Sequence, residues 1–226
     1  VYEYLTNFAD DRTILNMLSV NKTFSDDKFF ERVMRRKYPL LMEFKKTTWK
    51  ELYVRMTYYI SLLKEKFDIP YIPTKGYNPE TFYNKYKNSK YIYDYAMFDA
   101  AIGGHKNLVE FFIKKGANDW NWGMRGAAEG GHKDLVEFFI DKGANNWNIG
   151  MYGAAEGGHK DLVEFFIEKG AKDWNWGMYG AAKGGHKDLV EFFIEKGAKD
   201  WNWGMYGAAE GGHKDLVDFF KKKMND

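Results

Sequence analysis

The stretch Asp173–Lys199, DWNWGMYGAAKGGHKDLVEFFIEKGAK, decides how the chain folds, because it returns along the sequence in almost the same wording. Its GGHK string stands at Gly103, Gly130, Gly157, Gly184 and Gly211, a constant spacing of 27 residues. Five units, 92–118, 119–145, 146–172, 173–199 and 200–226, fill the second part of the 226-residue chain. Repeats of roughly 20–50 residues stack into solenoids, each unit burying its apolar face only against its neighbours. Two short helices are expected per unit. The first, Trp176–Lys183, contains Gly177 and Gly180, each about 1 kcal/mol worse than alanine in a helix, so these glycines point to close backbone approach. The second, Asp188–Lys196, is amphipathic through Leu189, Val190, Phe192, Phe193 and Ile194, with Asp188 favouring the helix dipole. Gly184–Gly185–His186 reverses the chain between them, and Gly197 ends the second helix as a left-handed cap. Burying one Phe or Leu is worth about 1.5–3 kcal/mol, so five copies of L-V-x-F-F outweigh the glycine costs. An all-α solenoid is expected.

Working outward, composition divides the chain in two. All four prolines (Pro39, Pro70, Pro73, Pro79) precede residue 91, and 22 of 23 glycines follow it, Gly76 being the exception. Residues 1–91 carry 17 Lys/Arg against 11 Asp/Glu, while residues 92–226 carry 17 against 21. The expected domains are a helical head at 1–66, a linker or capping segment at 67–91, and the array at 92–226. The absence of cysteine removes disulfides and thiol nucleophiles and suits a reducing, intracellular setting. No apolar run reaches the roughly 18 residues of a membrane span, and no signal peptide opens the chain. The chain opens on Val1, so residues upstream of it are expected. In the fifth unit Lys221 and Met224 replace the Ile-x-x-Gly of Ile194–Gly197, the pattern of a terminal repeat whose outer face meets water.

The segment AAEGGHKDLVEFFIEKGAK resembles the ankyrin repeat, whose usual run is AAxxGHxxIVxLLLxxGAD. Ala154–Ala155, Gly158–His159, Leu162–Val163 and Gly170–Ala171 stand at matching positions. The ankyrin unit has about 33 residues, and the residues missing here fall where its β-hairpin would project. WGMY (Trp176–Tyr179) replaces TPLH. The resemblance therefore implies stacked helix pairs joined by blunt turns.

In the head, helices are expected over Asp10–Val20, Asp26–Lys37 and Trp49–Lys66. The acidic starts of the first two act as caps, and an apolar stripe in the third runs through Trp49, Leu52, Tyr53, Met56, Tyr59, Ile60 and Leu63. The order Tyr4–Leu5, Asp10–Asp11, Ile14–Leu15, Val20-Asn21-Lys22-Thr23-Phe24, Phe29–Phe30 is similar to the F-box, although the Leu-Pro dipeptide that opens typical F-boxes is not present. Joined F-box-like heads and ankyrin repeats resemble proteins of giant DNA viruses of amoebae, which implies the host cytoplasm. The F-box resemblance implies docking of a Skp-type subunit of a cullin–RING ubiquitin ligase through Leu5, Ile14, Leu15, Val20 and Phe24.

Catalytic readings find little to rest on. His105, His132, His159, His186 and His213 are one repeat position, and packed helices about 8–10 Å apart cannot bring such a ladder together on one ion. GGHK lacks the GxxxxGK[ST] of a phosphate loop. The pairs Asp10–Asp11 and Asp26–Asp27 precede amphipathic runs and read as caps before they read as acid/base dyads. The basic run Arg35–Arg36–Lys37 ends a helix, and the acidic balance of the array argues against nucleic acid. No cofactor, metal or enzymatic activity is expected.

The positions that vary between near-identical units are more informative. Seven of eight tryptophans lie in the WNW turns. The first aromatic of each pair reads as packing between units; the second varies as Tyr95, Trp122, Ile149, Trp176 and Trp203. Two further positions run Phe98, Arg125, Tyr152, Tyr179, Tyr206 and Ile102, Glu129, Glu156, Lys183, Glu210. By the ankyrin match the latter lies on or beside the partner-binding surface, and Tyr, Trp and Arg are enriched at binding hot spots. The expected function is a protein–protein adaptor, the array holding a target protein and the head docking the ligase. The alternative is a structural or self-assembling, homo-oligomeric scaffold.

Overall fold

A computed structural model describes residues 27–46 and 48–225. The chain divides into two compact units between Ile92 and Tyr93. Helix is the regular secondary structure of the described residues, with no strand among them. The Asp10–Val20 helix and the docking residues Leu5, Ile14, Leu15, Val20 and Phe24 lie outside the described residues.

In the first unit, α1 (Asp27–Lys37) leads through a 3-10 helix (Pro39–Phe44) to α2 (Trp49–Phe67) and α3 (Pro79–Tyr86). Tyr38–Pro39 ends α1 because proline cannot continue it. Thr48 caps α2 in a reciprocal box with Glu51. Asp27 does more than start its own helix: its carboxylate accepts the Lys50 amide at 3.0 Å and so ties α1 to the first turn of α2. Phe29, Phe30, Val33, Met34, Leu41, Leu52, Tyr53 and Met56 close one apolar core. The stretch read as a linker folds with this unit. Ile69, Ile72, Tyr77, Phe82 and Tyr83 are all buried, and Asn78 caps α3 through the Glu80 and Thr81 amides.

The second unit is an α-solenoid of five helix pairs: α4 (Ile92–Ile102) with α5 (Lys106–Lys114), α6 (Trp120–Glu129) with α7 (Lys133–Asp141), α8 (Trp147–Gly157) with α9 (Lys160–Lys169), α10 (Trp174–Gly184) with α11 (Lys187–Glu195), and α12 (Trp201–Glu210) with α13 (Lys214–Asn225). From α6 to α12 the first helices of successive pairs pack directly on one another, and each second helix packs on its own first. Small residues explain that intimacy. A Cβ on Gly184 would stand 2.0 Å from the Glu156 carbonyl oxygen of the preceding repeat. The glycine of WNWG serves a different neighbour: on Gly177 a Cβ would meet the Phe193 ring of the same repeat at 2.4 Å. The second helices of the three inner repeats each bury their Leu, Val and second Phe, as Leu189, Val190 and Phe193 show. The left-handed backbone expected at Gly197 is present, with φ +108°.

The first helices begin earlier than the sequence reading placed them. Trp174 is already helical, because the Asp173 carboxylate accepts the Trp176 amide and caps the helix. The WNW segments are therefore first helical turns, not turns between helices.

Candidate interaction surface

The three variable positions of each repeat lie on its first helix, three and then four residues apart along the chain, so they share a face. Stacking of successive repeats joins them into one strip. The Phe98 and Trp122 rings stack at 4.7 Å between centroids. Tyr152 stacks on Trp176 at 5.4 Å and on Tyr179 at 5.8 Å, and Tyr179 stacks on Trp203 at 5.4 Å and on Tyr206 at 6.3 Å. Ring stacking between repeats thus falls to the second aromatic of each WNW pair, where the sequence pointed to the first. Where the third repeat has Ile149 in place of that aromatic, its neighbour at the adjoining position is Arg125. The guanidinium lies over Trp122 at 4.4 Å, Tyr152 at 4.6 Å and Phe98 at 5.1 Å.

A chain of charges runs beside the rings. Arg125 pairs with Glu156 at 3.0 Å and lies 3.8 Å from Glu129. Lys183 bridges Glu156 and Glu210, each at 3.1 Å, and the Tyr179 hydroxyl donates to Glu210 at 2.6 Å. Burial and the neighbouring Glu156 carboxylate push Glu129 up to about 7, only partly offset by Arg125 and Lys183. Burial and the bond to Glu210 push Tyr179 up to about 12, and the same bond holds Glu210 below the usual carboxylate value. Desolvation pulls Lys183 down, but Glu156 outweighs it and the ammonium is held above its ordinary range. Among the described residues Trp122 Nε1, Arg125 Nε and Glu129 Oε2 are buried without a hydrogen-bond partner.

Glu129 makes stability depend on pH in a direction that follows from its surroundings: Arg125 on its own helix, Asp99 on α4, Glu156 on α8 and Lys183 on α10. Between the ordinary 4.5 and about 7 the folded chain keeps a proton that the unfolded chain has released. Unfolding free energy therefore falls as pH rises through that window. Glu129→Gln will remove this slope, so its stability relative to wild type will improve between pH 5 and pH 8 in urea titrations.

The strip is not equally available along its length. Tyr152 is buried, and the Arg125 and Glu156 side chains are only 12% and 13% exposed. At the fifth repeat, Trp203 is 40% and Tyr206 61% exposed. Tyr95, Phe98 and Ile102, in the first repeat, are half-buried.

Two inter-repeat bonds went unread in the sequence. The middle Asn of three triplets accepts two backbone amides that straddle the junction with the next repeat: Asn121 from Asn145 and Asn146, both at 2.9 Å, Asn148 from Lys172 and Asp173, and Asn175 from Lys199 and Asp200. Asp94 plays this part in the first repeat. The constancy of Asn121, Asn148, Asn175 and Asn202 was the available signal. The histidines act in the opposite direction: Nε2 of His132, His186 and His213 lies 3.0–3.1 Å from the carbonyl oxygens of Ile102, Glu156 and Lys183 in the preceding repeat. No group of three or more His, Asp or Glu able to hold a metal ion occurs among the described residues. No helix among them is long and apolar enough to cross a membrane.

The fold and this surface define a helical repeat protein of the α-solenoid class. Neither a protein-family model nor a curated protein matches the sequence.

Proposed function

We propose that the chain is a non-catalytic protein–protein interaction adaptor. In this reading its array is a shortened ankyrin-type solenoid that holds a target protein, and its head is an F-box-like module that docks a Skp-type subunit of a cullin–RING ubiquitin ligase. One observation carries the array half: the positions that differ between near-identical repeats fall on one aromatic and charged strip, while the asparagines and histidines that bond one inner repeat to the next stay constant. Tyr, Trp and Arg are the residues in which binding energy concentrates. The head half rests on the residue order from Tyr4–Leu5 to Phe29–Phe30. Co-purification of the full chain with a Skp-type protein tests it: wild type is expected to retain Skp, and a variant with Ile14→Ala and Leu15→Ala is expected to lose it. Failure of the wild-type chain to retain Skp would sink the docking half.

A further inference from the structure

The first unit is basic where the array is acidic, and much of its charge is left uncompensated. Residues 27–91 carry 15 Lys/Arg against 7 Asp/Glu. Over residues 55–91 the count is 7 against 3, and two of the three carboxylates are engaged, Glu80 by Arg55 at 3.0 Å and Asp68 by Lys64. Lys66, Lys85, Lys87 and Lys90 pair with no carboxylate among the described residues. Each lies over a tyrosine ring instead. Lys66 and Lys87 share Tyr83, at 5.5 and 5.3 Å from its centroid, while Lys85 lies over Tyr86 at 5.0 Å and Lys90 over Tyr91 at 4.8 Å.

Two helices build the centre of this surface. Lys66, in the last turn of α2, donates to the Tyr83 hydroxyl of α3 at 2.9 Å. Lys87 caps α3 one turn beyond Tyr83. Tyr59 of α2 packs on Tyr83 at 5.7 Å, and Tyr58 meets Tyr59 edge to face at 5.2 Å. Tyr83 is buried, whereas Tyr58 is 57% exposed. An exposed ring therefore stands beside two lysines that a buried ring holds in place. A carboxylate would have held those ammonium groups and neutralised them; a tyrosine ring holds them and leaves their charge to solvent.

We infer that this surface binds single-stranded nucleic acid, with phosphates at Lys66 and Lys87, further charge from Lys85 and Lys90, and a base stacked on Tyr58. Positive charge alone would suit any polyanion. The exposed ring beside it selects a chain whose charges alternate with flat, unpaired bases, which a duplex keeps stacked on one another and out of reach. Lysine is a point charge without the planar fork that reads base edges, so the site tolerates any sequence. The run Arg35–Arg36–Lys37 is a different feature, and its Arg35 is engaged by Glu31 at 2.7 Å. Binding here concerns the first unit alone and does not depend on the adaptor reading of the array.

The probe is a fluorescein-labelled oligouridylate of about 15 nucleotides, within the span of one single-strand site, titrated with the full chain and followed by fluorescence anisotropy. Four neutralised phosphates give a salt slope of about −3, so affinity is expected to fall about 50-fold between roughly 50 and 200 mM salt. Lys66→Gln/Lys87→Gln is expected to halve that slope. Tyr58→Ala is expected to weaken binding about tenfold at an unchanged slope, the range of one base–aromatic stack. All three positions are exposed, so the variants keep the fold. Binding of oligothymidylate alone also supports the inference and assigns the strand as DNA. No binding of either strand at the lower salt, or binding that neither variant weakens, overturns it. Equal or tighter binding of the oligouridylate–oligoadenylate duplex overturns it too, since the bases are then not read. So does equal or tighter binding of a poly-glutamate peptide of matched charge, or of vesicles of phosphatidylcholine and phosphatidylserine in equal parts, because the surface then belongs to an acidic protein or a membrane.

Discussion

Gly184→Ala will cost the array about 3 kcal/mol, the upper range for overpacking, although it adds a single methyl group to a residue in ordinary helical conformation. The methyl carbon would stand 2.0 Å from the Glu156 carbonyl oxygen, and that oxygen lies 3.1 Å from His186 Nε2. Neither partner is the tip of a flexible side chain. Two helices must part, and the histidine bond and the stacking of Tyr152 on Tyr179 part with them. Gly197→Ala separates this effect from backbone strain. Gly197 has φ +108° and open space around it, so its substitution carries only the left-handed penalty of about 1–2 kcal/mol. Because each repeat touches only its neighbours, hydrogen exchange in Gly184→Ala should rise most at the junction of the third and fourth repeats. Equal losses for Gly184→Ala and Gly197→Ala would show that close approach is not what that glycine provides.

Phe166→Ala will cost about 3–5 kcal/mol, as expected for a fully buried phenylalanine whose surroundings cannot collapse. Its ring fills the space left by Gly150, where a Cβ would lie 2.4 Å from the ring. Gly150→Ala is therefore also destabilising, by about 1–3 kcal/mol. The two positions share one volume, so their effects must not add. In the double variant Gly150→Ala/Phe166→Leu the shorter side chain gives room to the new methyl, and a coupling of about 1–2 kcal/mol is expected in thermal or urea unfolding. Additive losses would place the Gly150 constraint elsewhere.

These two glycines also show how far the sequence could be read. Period, helix pairing and the left-handed stop at Gly197 are local or repetitive properties, and they were legible. That glycines inside the first helix mean close approach was legible too. Which neighbour approaches was not, because Gly177 meets its own repeat's Phe193 while Gly180 meets the Tyr152 carbonyl of the repeat before. The start at Trp174 was hidden behind tryptophan's middling helix propensity, although the Asp173 cap was in plain view. In the first unit Ile69, Ile72 and Tyr77 looked like linker because prolines surround them; proline reports the lack of helix, not the lack of a core. The strip residues could be named from their variation between copies. Their mutual occupation could not, since it depends on 27-residue neighbours becoming adjacent in space. That adjacency separates buried Tyr152 from exposed Tyr206, two residues that both stand in GMYGAAE.

The asparagine bridges have an evolutionary consequence. Asn121, Asn148 and Asn175 each bind the first main-chain amide of the next repeat, whatever side chain that residue carries. This bond is thus indifferent to wording, and by itself it sets no limit on which unit follows which. The strip is the opposite, since Arg125, Glu156, Lys183 and Glu210 are matched across three junctions. As far as this bond goes, gene-level slippage can change the length of such an array, while the order of its units stays under the control of charge.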